Sequence, residues 1–193
     1  MTQAVAGPDG RLRCPWALST DDYIAYHDQE WGRPVEADPA TADRRVFERL
    51  TLEAFQSGLS WLIILRKREG FRRAFHDFDL NRVAGFGQRD VERLLADAAI
   101  VRNRAKIEAA IANAGAALAL PDGLAARVRS FAPPAPAPAP VKPGDVPSTS
   151  PESVALAKDL RKRGFRFVGP TTVYALMQAT GIVNDHLADC WAR

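Results

Sequence analysis

Apolar residues in this chain recur at intervals of three and four and almost nowhere in strict alternation. A strand half-buried in a sheet needs period two, whereas a helix packed on a core needs 3.6. Ala, Leu, Arg and Glu dominate, and all four are good helix formers. The chain can therefore bury its apolar side chains only as packed helices, and the expected fold class is all-α. Its 193 residues suffice for one domain with a substantial core.

The periodicity predicts helices from about Asp21 to Glu30, with Gly32 and Pro34 as stop signals, and from Thr41 or Asp43, with Val46, Phe47, Leu50 and Ala54 on one face. Three more are expected over Ser60 to Phe75, from Asp90 with Val91, Leu94 and Leu95, and over Asn103 to Leu118. Seven of the 14 prolines then fall between Pro133 and Pro147, in a Pro-Ala repeat. Proline fixes φ and lacks an amide donor, so this stretch should be extended, as a spacer between helical blocks or a ligand for another protein. Beyond it, Ser150 caps a helix with Pro151 in its first position, and Gly164 ends that helix. Gly169 and Pro170 begin the next, which Gly181 ends, leaving a short hairpin from Gly164 to Gly169.

Residues 1–12 carry no apolar core of a secretory signal and are expected to form a disordered tail ahead of a single domain over 13–193. No apolar run is long enough to span a membrane. These features give the expectation of a cytoplasmic protein, and nothing in them suggests an obligate oligomer, so a monomer is expected. Net charge is only +3, but basic residues cluster at Arg66 to Arg73, at Arg102 to Lys106 and at Lys158 to Arg166. Such clusters suit a phosphate backbone and equally suit a solvated helix face.

The chain has two cysteines and three histidines. His186 and Cys190 are four apart, which on a helix puts both on one side. With Cys14 and His27 they make a Cys2His2 set able to hold zinc and to join the two ends of the chain. The spacing leaves two alternatives open: a Cys14–Cys190 disulfide, and buried thiols with unrelated histidines. His76 has no partner nearby in sequence and reads as a surface or capping residue. Glu53 falls about 20° from Val46 on a helical wheel, at the edge of the apolar stripe. There it either snorkels to the rim or faces a polar pocket. A turn from Gln56 to Ser60 brings Trp61 near it. Trp16, Trp31, Tyr23 and Tyr26 lie in the same third of the chain, so this region can build an aromatic slot closed by one carboxylate, suited to a planar base.

Several long segments carry a resemblance. Arg13-Cys14-Pro15-Trp16 with Tyr23 to Gly32, Leu52 to Trp61, Lys162 to Thr172, and Val183-Asn184-Asp185-His186 together resemble the DNA-3-methyladenine glycosylase I family, in order, from about Arg13 to Cys190. The resemblance implies an all-α helix-hairpin-helix DNA glycosylase fold with a structural zinc site joining the N- and C-termini. It implies zinc ligation by Cys14, His27, His186 and Cys190. It also implies a pocket where Glu53, the candidate catalytic residue, and Tyr26 read the base, Trp61 stacks on it, and Trp16 and Trp31 stand nearby. The hairpin residues Gly164, Phe165, Arg166, Val168 and Gly169 would grip DNA phosphate through backbone amides, with Lys162 and Arg163 adding charge. The implied partner is double-stranded DNA carrying alkylated bases, and the implied reaction is base excision without strand cleavage. A competing reading is a non-catalytic, zinc-stapled DNA-binding module, which would not need Glu53, Trp61 and Tyr26 together. The chain departs from the family at Arg129, where an aromatic is usual, and in its Pro/Ala-rich linker.

Overall fold

The computed structural model describes residues 3–35 and 38–193. Two short strands, β1 (Val5–Ala6) and β2 (Leu12–Arg13), pair antiparallel. The disordered tail expected over 1–12 is thus replaced, from residue 3, by a ribbon turned at Gly10 (φ 77°). Residues 1 and 2 lie outside the described residues. A short 3-10 turn over Pro15–Ser19 leads into α1 (Asp21–Gln29), capped by the Thr20 hydroxyl, which accepts from the Tyr23 amide at 3.2 Å.

Helix α2 (Pro39–Gln56) is the centre of the molecule, packed by α3 (Trp61–Ala74) and, from later in the chain, by α6 (Arg104–Leu118), α7 (Leu124–Arg129) and α9 (Pro170–Ala179). Its Val46, Phe47 and Leu50 are buried with Phe55, Phe71, Phe75 and Phe78 in one contiguous core. The two smaller helices α4 (Leu80–Ala84) and α5 (Gln88–Ala96) pack on α6. Neither α4 nor α7 was expected from the sequence: each spans fewer than two turns, too short to show a helical period. Between α3 and α4, His76, Asp77 and Phe78 form a left-handed turn that drops Phe78 into the core and leaves His76 exposed against Phe86.

The proline-rich stretch forms no regular element before a 3-10 turn at Pro143–Asp145. It connects the helical blocks and also ties the chain ends together. The Pro140 carbonyl accepts from the Ala188 amide and the Val141 carbonyl from the Gln3 amide, both at 2.9 Å. Helix α8 (Pro151–Lys162) begins with the predicted Ser150 cap, whose hydroxyl accepts from the Ser153 amide. It ends at Gly164 (φ 91°), where the Gly164 amide reaches the Arg161 carbonyl and the Phe165 amide reaches back to that of Leu160. The pair α8–hairpin–α9 is therefore a helix-hairpin-helix, and α9 packs directly on α2.

Candidate active site

Tyr23 and Tyr26 from α1, Trp16 and Ser19 from the 3-10 turn, Trp31, Glu53 and Gln56 from the end of α2, Trp61 from the start of α3, and Ala175 and Gln178 from α9 surround a cavity of about 370 Å³. The left-handed Gly58 (φ 84°) turns the chain between α2 and α3, which sets Trp61 against Tyr26 with ring centroids 5.4 Å apart. Trp16 meets Tyr23 and Trp31 edge to face at 5.6 and 5.2 Å. Glu53 is 7% exposed and has no hydrogen-bond partner among the described residues. Burial pushes its carboxyl up to about 8, opposed by the Arg49 guanidinium one turn earlier. Burial, and secondarily the Glu53 charge, also raises the Tyr26 hydroxyl, so it stays protonated. The indole nitrogen of Trp61 is buried without a partner among the described residues. All five residues expected at the base pocket, Glu53, Tyr26, Trp61, Trp16 and Trp31, line this one cavity.

Behind its wall, Cys14, His27, His186 and Cys190 are all buried and their ligand atoms lie within 4.8 Å of one another. His186 Nδ1 is 3.2 Å from His27 Nε2. Cys190 Sγ is 3.4 Å from His27 Nε2 and 3.5 Å from His186 Nδ1, and Cys14 Sγ is 3.9 Å from the latter. A tetrahedral zinc ion would hold two nitrogens about 3.3 Å apart and a nitrogen and a sulfur about 3.6 Å apart. Both cysteines are free, so no disulfide forms. The outer ring nitrogens are fixed: His27 Nδ1 faces Asp28 Oδ1 at 2.8 Å and His186 Nε2 faces the Trp31 carbonyl at 3.1 Å. Those acceptors hold the imidazole protons on the outside, so two lone pairs confront each other in the middle, an arrangement that calls for a cation. Hydrogen bonding from Cys14 holds Cys190 low, and the same bond with burial holds Cys14 high. The donor set thus fits a metal ion. His186 and Cys190 do not share a helix, contrary to expectation: residues 182–193 are turns, and the Cys190 amide bonds to the Leu187 carbonyl at 2.9 Å. Gly32 (φ 75°) passes so close that a Cβ there would lie 2.8 Å from His186 Nε2.

The hairpin is arranged differently from the sequence expectation. The amides of Gly164 and Phe165 close the end of α8, and that of Arg166 donates to Asn113 Oδ1 at 2.7 Å. Asn113 also donates to the Arg166 carbonyl at 3.0 Å, so α6 clamps the hairpin from below. The side chains of Phe165 and Val168 are buried in the core. The amides of Phe167, Val168, Gly169, Thr171 and Thr172 have no partner among the described residues, so donors available to an anion begin at Phe167 and run into the first turn of α9.

Several cations of two of the three basic clusters are engaged internally. Arg68 and Arg72 pair with Glu48, Arg66 with Asp22, and Lys106 is buried, donating to the Phe55 and Ser57 carbonyls at 2.8 and 2.6 Å. Beside the hairpin, Lys162, Arg163 and Arg166 are exposed, with Arg163 bound to Asp159 at 3.0 Å. Sequence reasoning missed Asp28, which adjoins His27 and also takes the buried Arg13 guanidinium at 2.7 Å, and Asn113, Gln178 and Asp185. Helical spacing carries no signal for them, because each is held by a partner from another element of the chain.

A mostly helical fold with a helix-hairpin-helix beside an aromatic, carboxylate-bearing cavity is that of the helix-hairpin-helix DNA glycosylases. Within that class, residues 16–193 match the methyladenine glycosylase family, and the chain belongs to it. It is 44% identical to DNA-3-methyladenine glycosylase 1 of Escherichia coli over 182 residues, 92% of this chain and 95% of that protein. A crystal structure of a 3-methyladenine DNA glycosylase I superposes with a TM-score of 0.86 at 46% identity, covering 93% of this chain and 98% of the other. The Staphylococcus aureus 3-methyladenine DNA glycosylase I, solved to define 3-methyladenine recognition, gives 0.85 at 32% identity, covering 93% and 95%.

Proposed function

We propose that this protein excises 3-methyladenine from alkylated double-stranded DNA by hydrolysing the N-glycosidic bond, leaving an abasic site. The observation that carries the proposal is Glu53, a buried carboxyl without a hydrogen-bond partner among the described residues, at the wall of an aromatic cavity sized for a base. Adenine methylated at N3 within DNA is cationic, so its glycosidic bond is weakened and the base departs neutral. The enzyme then needs little general-acid help, and its work is to extrude the nucleotide, select it and admit water to an oxocarbenium-like sugar. Trp61 stacks on the extruded base, Tyr26 and Glu53 meet its edge, and Trp16 and Trp31 close the slot. A cation in the cavity replaces the solvation that Glu53 lost on burial, which favours its ionised form only when the right base is bound. The buried Lys106 is engaged by two carbonyls, so the reading is a monofunctional enzyme without strand cleavage.

The metal assigned to Cys14, His27, His186 and Cys190 is structural zinc. Four protein ligands leave no open position, so its contribution is to neutralise thiolate charge and to join the chain ends. DNA phosphate is gripped by the free amides from Phe167 to Thr172 at the positive end of α9, with Lys162, Arg163 and Arg166 adding a salt-dependent term. The protein acts as a monomer within the cytoplasm.

Chromatography of bases released from methylated duplex DNA tests the assignment. Release of 3-methyladenine with 7-methylguanine left in place is expected. Folded, metal-loaded protein that binds the DNA but releases nothing would replace the enzyme with a binding module.

A further inference from the structure

Asp185 immediately precedes His186 in sequence but is not part of the Cys/His cluster. It is 7% exposed, and both of its hydrogen bonds fall on one oxygen: the Tyr174 hydroxyl donates to Oδ2 at 2.7 Å, and Gln178 Nε2 donates to the same atom at 2.8 Å. Burial and the neighbouring Asp185 raise the Tyr174 hydroxyl, which keeps it a donor. A carboxylate can only accept, so the Gln178 amide has one permitted orientation. Turned over, its carbonyl oxygen would face the carboxylate lone pairs. The Gln178 backbone is held as well, its carbonyl accepting from the Gly32 amide at 3.1 Å. Gln178 Oε1 is left with no partner among the described residues, on a side chain that borders the base cavity from α9 while Glu53 borders it from α2. Asp185 itself lines an adjoining cavity of about 310 Å³ that shares Trp16, Trp31 and Gln178 with the first.

We propose that Gln178, its amide orientation fixed by Asp185, is a specificity-determining residue that accepts one hydrogen of the exocyclic amine of the extruded base while Glu53 accepts the other. Two acceptors from two helices suit the two amine hydrogens of an adenine-type base. The keto oxygen of a guanine-type base would meet both acceptors with no hydrogen to give, the kind of mismatch that discriminates more strongly than shape alone. Asp185 is in this scheme a positioning residue, acting only through Gln178. The inference rests on the 3-methyladenine reading above.

The test measures single-turnover release of 3-methyladenine and 3-methylguanine from one preparation of methylated duplex DNA by the wild type, Asp185→Asn and Gln178→Met. Zinc content and thermal unfolding are followed on the same samples. Asparagine at 185 can donate as well as accept, so it lets the Gln178 amide turn over, and the 3-methyladenine to 3-methylguanine rate ratio should fall about tenfold. Gln178→Met, which removes the acceptor without touching residue 185, should slow 3-methyladenine release about tenfold and leave 3-methylguanine release nearly unchanged. Tryptophan fluorescence titrated with the two free bases should show the same narrowing without turnover. An unchanged ratio in Gln178→Met that is folded and metal-replete overturns the inference, even where Asp185→Asn fails to fold. A wild type that releases neither base overturns the parent reading instead.

Discussion

At the end of α2, the Glu53 carboxyl has no hydrogen-bond partner among the described residues. Its pKa of about 8 in the folded chain lies well above the ordinary carboxylate value of 4.5, so the native state binds this proton more tightly than the unfolded chain does. The resulting stability is complete below about pH 4.5 and is lost as pH rises through 8. Glu53→Gln carries no titrating group, so its melting temperature should match that of the wild type at pH 4.5 and exceed it at pH 9, by about 2–4 kcal/mol of unfolding free energy. The same substitution should slow 3-methyladenine release about 10- to 100-fold, the magnitude of a charged hydrogen bond to a bound group. A variant that gains no stability at pH 9 would mean that the carboxyl is hydrated in the folded protein. Whether Glu53 snorkels or faces a pocket was not legible from its place on the helical wheel. The answer depends on Tyr26 and Trp61, which arrive from other helices. Gly32 is a second residue whose reason is tertiary. Its positive φ and the 2.8 Å approach to His186 mean that Gly32→Ala should cost about 2–3 kcal/mol and lower bound metal, read by calorimetry and metal analysis.

Among the elements, the helix-hairpin-helix was the most legible, because its punctuation is local. Ser150-Pro151, Gly164 and Gly169-Pro170 each act within one turn of chain, and α8 and α9 begin and end where these residues direct. What the hairpin rests on was not legible: Asn113 bonds both the amide and the carbonyl of Arg166 from 53 residues away. Asn113→Ala frees both groups and loosens the loop that presents the phosphate-binding amides. Its KM for methylated DNA should rise about tenfold, with release at saturating DNA little changed. If Lys162 and Arg166 are phosphate contacts, replacing either with Ala should reduce the salt slope of log affinity by about one. A slope that does not move would place those side chains away from the backbone. The same local rule explains the failures, since α4 and α7 are five and six residues long and carry too few apolar positions to show a period.

On the scale of the whole molecule, the metal cluster and the base cavity are one construction. Cys14 follows the N-terminal ribbon, His27 comes from α1, and His186 and Cys190 come from the terminal turns, so an ion here closes a loop spanning most of the chain. Closing so long a loop removes much conformational freedom from the unfolded state. Trp31 binds the cluster to the cavity: its ring lies 4.6 Å from that of His186 and 6.2 Å from that of His27, its carbonyl holds the His186 proton, and it lines the base slot with Trp16. Spacing could bring the four ligands into one hypothesis, but not this coupling, which depends on which face of each imidazole is turned outward. Without an ion, two facing lone pairs and two crowded thiols would stand in a buried site, and relaxing them would move Trp31. Chelation, or Cys190→Ser, should therefore lower the melting temperature by more than 10 °C, of the order expected for losing several kcal/mol in a chain of this size. It should also abolish the quenching of tryptophan fluorescence by free 3-methyladenine at temperatures where the helices remain folded by circular dichroism. Retained base binding in metal-free, helical protein would separate the two sites and leave zinc as a staple alone.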